Sequence, residues 1–319
     1  MTRWLLRRTL QGVLTWVAAV IALFCLVRLL PGDPLAAAGD LSPESRAALV
    51  RLYGLDQSLP AQLTHFLRGL LHGDLGISTS VGRPVTELLA GHLPATLLLG
   101  GTVLATDLLL ALVLGTWLAS RARGAADRWT SRLLLAGHAT PPFWLGLVLV
   151  WAFALTLHWL PAAGASDPLL PAGAALFTRA ADVARHLALP WLTLTLTTLV
   201  VPLRHHREAV LETLDSDWVR AARARGVDEP TVLARHAARA SLAPLLVLAG
   251  LWLPMLLTGA VLVETTFAWP GLGWLMAEAV GSRDFPLATG CILLGAAAVM
   301  LGSLCADLLQ RLFDPRTAA

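Results

Sequence analysis

Residues 88–120 read LLAGHLPATLLLGGTVLATDLLLALVLGTWLAS, 33 residues whose one charge is Asp107. A helix of about 20 apolar residues is enough to cross the hydrocarbon core of a bilayer. A helix buried in a soluble domain is usually shorter and carries a polar stripe. This stretch therefore reads as a spanning helix, and the same test works outward from it. Thr9 to Val27 is 19 residues without charge, Leu133 to Ser166 is 34, His186 to Leu203 is 18, Ala240 to Val263 is 24 and Phe285 to Ala306 is 22. Six windows follow, near 10–30, 95–118, 142–160, 186–203, 242–263 and 286–308. The expected fold is all-α: a polytopic membrane protein with about six transmembrane helices in a single domain over 1–319.

Composition agrees. Of 319 residues, 56% are hydrophobic and 14% charged, against roughly 25% charged in soluble domains. That excludes disorder, which needs low hydrophobicity and high charge. The three cysteines, Cys25, Cys291 and Cys305, lie in apolar stretches, so no disulfide scaffold is expected. All 24 basic residues are arginine. A phosphate-binding Walker loop needs a Gly-Lys pair, so any nucleotide-driven work must come from another chain.

Arginine placement sets the expected orientation. With the N-terminus inside, sixteen of the 24 arginines fall on inner segments and eight outside, which is the positive-inside bias. Both termini are expected to be cytoplasmic. The net charge of +3 is mostly this bias and implies no nucleic-acid partner. Arg3, Arg7 and Arg8 precede a long apolar run with no small-x-small cleavage site, so the N-terminus reads as an uncleaved first span. Prolines at 190, 202, 244 and 254 are expected to kink the fourth and fifth spans. Trp4, Trp129, Trp159, Trp191 and Trp269 stand near span ends, as in interfacial belts.

Two polar segments are large. The outer one, about 31–93, holds the turn signal Pro31-Gly32-Asp33-Pro34, a short helix from Ser42 to Leu52, and the turn-rich Gly73-Asp74-Leu75-Gly76-Ile77-Ser78. The inner one, about 204–240, carries seven arginines against six acids and reads as two short helices. Ser216 is expected to cap the first, Gly226 to end it in the left-handed conformation, and Asp228 to cap the second ahead of Pro230.

In their order and spacing these pieces resemble the permease subunit of an ATP-binding-cassette importer of the dipeptide/oligopeptide/nickel type. The resemblance runs nearly end to end. It rests on Pro31-Gly32-Asp33-Pro34, Tyr53-Gly54-Leu55-Asp56, Gly73 to Ser78, and Leu93-Pro94-Ala95-Thr96-Leu97. It continues with Arg220-Ala221-Ala222-Arg223-Ala224-Arg225-Gly226, His236-Ala237-Ala238-Arg239, Glu264-Thr265-Thr266-Phe267-Ala268-Trp269-Pro270-Gly271-Leu272-Gly273, Arg283-Asp284-Phe285-Pro286 and Asp314-Pro315-Arg316. Ala240 stands where members of the family usually carry Asn.

The resemblance implies a bacterial or archaeal cytoplasmic-membrane protein that makes no covalent bond and needs no cofactor or metal. Its implied partners are a second homologous permease, two ATP-binding subunits and an extracytoplasmic solute-binding protein. The cargo is expected to be di- or oligopeptides, with nickel or another small solute as the alternative. Residues 204–240 would be the cytoplasmic loop docking on the ATPase, through Arg220, Ala221, Ala222, Arg223, Gly226, His236 and Arg239. Glu264, Phe267, Trp269, Pro270, Gly271 and Gly273 would belong to the outer gate that meets the binding protein.

The residues leave other readings to weigh. An ordinary juxtamembrane helix held at lipid headgroups by arginine would look much like 217–225. Asp107, the one acid deep in a span, is either a proton or substrate group or a hydrogen-bonded packing carboxyl, and the second reading is preferred. A proton-coupled carrier would use Asp107 and run without ATPase partners. An intramembrane serine protease would need a Ser/His pair facing each other in the membrane, and none is found. Gly76-Ile77-Ser78 opens a hydrolase-like pattern, but Ser80 replaces its second glycine. His205-His206-Arg207-Glu208 lacks the spacing of a zinc motif.

Overall fold

The computed structural model describes residues 2–29, 42, 44, 47, 50–51, 56–122, 124–171 and 173–313. Pro31 to Pro34, Tyr53 to Leu55 and Asp314 to Arg316 lie outside the described residues. Among the described residues there is no strand, only an isolated bridge between Ile77 and Pro84. The helices are α1 (Thr2–Leu29), α2 (Leu59–Leu71), α3 (Val85–Ser120), α4 (Ala125–Ala139), α5 (Pro142–Leu149), α6 (Leu176–Thr198), α7 (Val200–Leu214) and α8 (Asp217–Ala224). They continue with α9 (Glu229–Thr231), α10 (Leu242–Gly259), α11 (Val261–Thr266), α12 (Leu272–Gly281) and α13 (Phe285–Phe313). Wider π-helical turns follow α5 at Val150–Thr156 and α9 at Val232–Ala238. Glu44, Ala47, Val50 and Arg51 are also helical, inside the short polar helix expected there.

Every one of the six apolar windows holds a helix, but the spans are not all straight rods. Arg3–Leu26, Val85–Ser120 and Phe285–Arg311 are each long and apolar enough to cross a membrane. Two bent helix pairs are long and apolar enough only when each is taken together. α4 and the helix Pro142–Thr156 meet at 103°, and α6 and α7 meet at 46°. The sixth window holds α10, 18 residues with no charge.

The breaks have local causes. Pro141 and Pro142 force the residues before them out of the helical region. Thr140 and Pro141 are accordingly extended, each with ψ of 130°. At the second break Pro202 has no N–H to give the carbonyl four residues back. That carbonyl belongs to Thr198, the last residue of α6. Pro190 is accommodated within α6, and Pro244 falls in the first turn of α10, where the missing N–H costs little. Pro94 likewise lies inside α3, which starts ten residues ahead of the expected window.

The chain forms two compact units, residues 1–97 with 270–300, and 98–269 with 301–319. In the first, Val85, Leu88 and Leu89 of α3 pack with Leu275 and Ala279 of α12 and with Leu287 and Cys291 of α13. Gly290 makes that contact possible: a Cβ there would come 2.5 Å from Val85 Cγ1. Phe66 of α2 stacks on Phe24 of α1, with ring centroids 5.5 Å apart.

In the second unit, Ala111 and Leu118 of α3 pack with Leu199, Leu203 and Leu245. α4 lies along the broken pair like a splint. Near its C-terminus Gly137 comes so close to Leu196 that a Cβ would be 2.7 Å from its carbonyl oxygen, and His138 Nδ1 lies 2.7 Å from the Thr197 carbonyl. Near its N-terminus Asp127 takes both nitrogens of an Arg207 fork, at 2.8 and 2.7 Å. The two contacts fall on either side of the break. Trp191 donates to Thr106 Oγ1 at 3.1 Å, and Trp269 is fully buried. Trp269 therefore packs inside the unit and Trp191 is half-buried with its N–H bonded, whereas Trp129 and Trp159 are exposed.

Helices α10 and α13 approach backbone to backbone at Gly250, where a Cβ would meet the Ala306 Cα at 2.6 Å. A methyl cannot enter without pushing the helices apart, a change that typically costs about 1–3 kcal/mol. Gly250→Ala should lower the melting temperature of the detergent-solubilised chain by several degrees. Gly101→Ala, where nothing lies within 4 Å, should leave it unchanged or slightly raised, since alanine is the better helix former. Equal melting temperatures for the two variants would refute this packing.

Candidate functional site

The loop 204–240 is built from the turn chemistry of its own residues. α8 ends in a Schellman motif: Val227 N–H donates to the Ala222 carbonyl at 3.3 Å and Gly226 N–H to Arg223 at 2.9 Å. The motif needs a left-handed residue at 226, and Gly226 has φ +84° with open space around it. Asp228 then caps α9 by accepting from Thr231 N–H at 3.3 Å. Ser216 holds the N-cap position of α8, but its hydroxyl does not cap the helix as expected. It turns back and donates to the Thr213 carbonyl.

Arg223 spans the turn, forking onto Glu229 at 3.0 and 2.7 Å and reaching the Leu214 carbonyl at 3.3 Å. The fork raises the Arg223 pKa and holds the Glu229 carboxyl below its usual range. Hydrogen bonding from Thr231 does the same for Asp228.

The eight residues of α8 divide cleanly. Val219 and Ala222 are buried. Asp217, Trp218, Arg220, Ala221, Arg223 and Ala224 are exposed, as is Arg225 just beyond the helix. Trp218 meets His236 edge-on, with centroids 5.8 Å apart. His236 is thus brought to the helix, while Arg239 lies exposed beyond it. Of the alanines, Ala221 offers a low outer surface and Ala222 supports the helix from below.

The segment 264–273 is held by two further devices. α11 closes in the same six-residue pattern: Trp269 N–H donates to the Glu264 carbonyl at 2.8 Å and Ala268 N–H to Thr265 at 3.3 Å. Here the left-handed residue is Ala268, with φ +46°. Glu264, Phe267 and Trp269 are buried, Phe267 against Gly146. Beyond it, the Leu272 N–H at the start of α12 donates to Thr96 Oγ1 of α3 at 2.7 Å. Gly271 has no side chain to cap that helix, so Thr96 does so from another helix. Pro270 is half-buried, and Gly271 and Gly273 are buried.

One polar cluster was not singled out from the sequence. Asp284 is fully buried. Its Oδ2 accepts from Ser78 Oγ at 2.5 Å, from Ser80 Oγ at 2.7 Å and from Ser80 N–H at 3.0 Å. Its Oδ1 accepts from Leu287 N–H at 3.0 Å, capping α13. One carboxylate thus joins the turn-rich 73–84 segment to a spanning helix. Burial by itself would raise its pKa, but these four donors together hold it below the usual carboxylate range. The residue before it, Arg283, has φ +57° and closes α12 in another Schellman motif, with Asp284 N–H on the Ala279 carbonyl at 2.8 Å.

Asp107 is buried in α3, with Oδ2 2.6 Å from Thr198 Oγ1. Among the described residues Oδ1 has no hydrogen-bond partner. The expected hydrogen-bonded carboxyl is present, and its partner sits at the α6–α7 break.

Residues 111–319 match the family described as binding-protein-dependent transport system inner membrane component. Residues 1–100 match the N-terminal region of membrane components of such systems. The dipeptide transport system permease protein DppB of Escherichia coli (strain K12) is 33% identical over 99% of this chain and 98% of its own. The oligopeptide transport system permease protein AppB of Bacillus subtilis (strain 168) is 33% identical over 99% of both chains. The di/tripeptide transport system permease protein DppB of Pseudomonas aeruginosa (strain UCBPP-PA14) is 34% identical over 95% of this chain and 94% of its own.

The Asp284 cluster has a pH signature. A carboxyl whose pKa is depressed on folding adds stability above its unfolded pKa of about 4, and that stability is lost as pH falls through the folded value. Wild-type melting temperature should therefore drop as pH falls below about 4. Asp284→Asn should melt lower at neutral pH, by the cost of an unsatisfied buried donor, about 1–3 kcal/mol. It should also show a flatter acid limb. Parallel acid limbs in the two proteins would show that the carboxylate is not what holds the cluster.

Proposed function

The chain belongs to the family of binding-protein-dependent transport system inner membrane components, and from that membership we propose that it forms half of the path by which a peptide importer passes its cargo inward. It is a multi-pass membrane permease, a transport component that works with other components of its transporter and not an enzyme. The relatives named for dipeptides, oligopeptides and di/tripeptides align with it almost from end to end. That supports peptides over nickel or another small solute as cargo.

In this reading both termini and the loop 204–240 are cytoplasmic, and two ATP-binding subunits dock on the loop. A second, similar permease completes the path, and a solute-binding protein delivers cargo from outside. ATP binding closes the ATPases, the loop helices pass that motion to the spans, and the cavity turns outward. The observation that carries the loop's role is α8 itself. It is short, fixed by a Schellman closure and the Arg223–Glu229 fork, and supported from below by Val219 and Ala222. Its outward side presents Trp218, Ala221 and Arg225. An aromatic anchor beside a low surface and a fixed charge suits a protein contact. Arg220, Arg223 and Arg239 set the charge around it. For 264–273 we propose an outer-gate role in which Pro270, Gly271 and Gly273 shape the backbone, while Glu264, Phe267 and Trp269 support it from inside.

The test is uptake by proteoliposomes carrying the whole complex with its binding protein. Labelled dipeptide should accumulate only with ATP, and Ni²⁺ should not. Gly226→Val places a β-branched residue in the left-handed region, a strain of about 1–2 kcal/mol, and Ala221→Glu raises a charge on the outer surface. Both variants should insert normally and lose uptake by about tenfold or more. Ala222→Glu is a poorer probe, because that side chain is buried within the chain. Accumulation of Ni²⁺ without peptide would overturn the cargo, and normal uptake in both variants would overturn the docking role. Topology is checked separately. A cysteine at Gln57 should react with an impermeant thiol reagent outside intact cells, and cysteines at Thr130 and Asp228 should not.

A further inference from the structure

Thr198 has one hydroxyl proton and two close oxygens: the Leu194 carbonyl at 2.8 Å and Asp107 Oδ2 at 2.6 Å. A hydroxyl donates once and accepts at its lone pairs. The carbonyl can only accept. If Asp107 is ionised, it too can only accept, and one of the two short contacts has no proton. Its Oδ1 has no partner among the described residues. A buried carboxylate with one donor and no counter-charge is a costly arrangement.

Among the described residues no positive group is hydrogen-bonded to it. α10 and α5 contain no titratable residue, and α6 between Leu187 and Thr198 contains none. α4 brings His138, but its Nδ1 lies on the Thr197 carbonyl. On α7, Arg207 is committed to Asp127, His206 faces α3 with its Nε2 3.0 Å from Thr116 Oγ1, and Arg204 and His205 are exposed. A neutral carboxylic acid resolves the count. Asp107 donates to Thr198 Oγ1, Thr198 donates to Leu194, and no charge remains in the span.

We propose that Asp107 is carried as a neutral carboxylic acid that donates to Thr198, and that it thereby holds the break between α6 and α7. Its place supports this second part. Thr198 is the last residue of α6, and Pro202 leaves its carbonyl without the usual donor. α7 continues through Asp215 and Ser216 directly into α8. Asp107 is then a positioning residue of the transport cycle and carries no proton across the membrane. The claim about uptake rests on the permease reading above; the claim about protonation does not.

Infrared difference spectra of wild type against Asp107→Asn at neutral pH, in proteoliposomes holding the whole complex, test the protonation. Wild type should show the carbonyl band of a protonated carboxylic acid, lost in Asp107→Asn. Thr198→Ala, which removes the acceptor, should shift that band. A merely structural carboxylate would show neither. In uptake, Asp107→Asn keeps a neutral side chain with a donor and should stay within about twofold of wild type. Asp107→Leu, which leaves Thr198 without its partner, should lose about tenfold or more. Absence of the protonated-acid band, or a band unmoved by Thr198→Ala, would overturn the protonation. Uptake lost in Asp107→Asn with the complex intact would overturn the positioning role. If wild-type complex moves no peptide at all, the spectra still decide the protonation.

Discussion

A backbone group left unpaired in a bilayer has no water to turn to. In this chain that constraint is strict where a helix stops in the membrane, while at exposed ends such as Gly226 water is an alternative partner. The first N–H groups and last carbonyls of a helix have no partner within it. The structure supplies partners one by one, and most are neutral. Among the described residues four helices close by the Schellman pattern, at Gly73, Gly226, Ala268 and Arg283. One start is capped from another helix by Thr96, and another by Asp284, which is itself fixed by Ser78 and Ser80. The two closures made without glycine carry the cost of a left-handed L-residue, about 1–2 kcal/mol each. Both sit in segments that fixed hydrogen bonds over-determine, which is where such strain persists.

The same constraint explains what could be read in the sequence. Apolar length located helices in all six windows, because it depends on composition alone. Gly226 and Asp228 were legible because glycine and aspartate advertise their turns. Ala268 and Arg283 were not, since nothing in either residue marks it for a left-handed angle. The Asp284 cluster joins residues about two hundred positions apart, and a hydrogen bond over that distance leaves no local pattern. Ser78 and Ser80 had drawn attention only as a fragment of a hydrolase motif. The sharp turn at 140–142 did have a signal, Pro141-Pro142, but a long charge-free run hid it. Trp191 and Trp269 were read from their position near span ends. Trp269 is buried and the half-buried Trp191 already gives its N–H to Thr106, which leaves either indole little to offer an interface.

The candidate site follows from the broken span. α6 and α7 meet at 46°, α4 grips both sides of that break, and Asp107 reaches the last residue before it. α7 then runs on into the loop that carries α8. A displacement of α8 has a continuous route into the membrane, along a helix whose weak point is held by named side chains. Sequence supplied both ends of this route, the loop and the intramembrane acid. It did not supply the connection, because Thr198 is an ordinary residue in a threonine-rich helix and acquires its importance from Pro202 and Asp107 together.

The central claim is that this chain works only as one part of a larger machine, docked through its loop on subunits that hydrolyse ATP. The most direct test is the intact mass of the complex purified through a tag on this chain in mild detergent. One copy of this chain, one of a second permease and two ATP-binding subunits is the composition predicted. A chain recovered alone, or only with copies of itself, while still moving peptide would contradict the account.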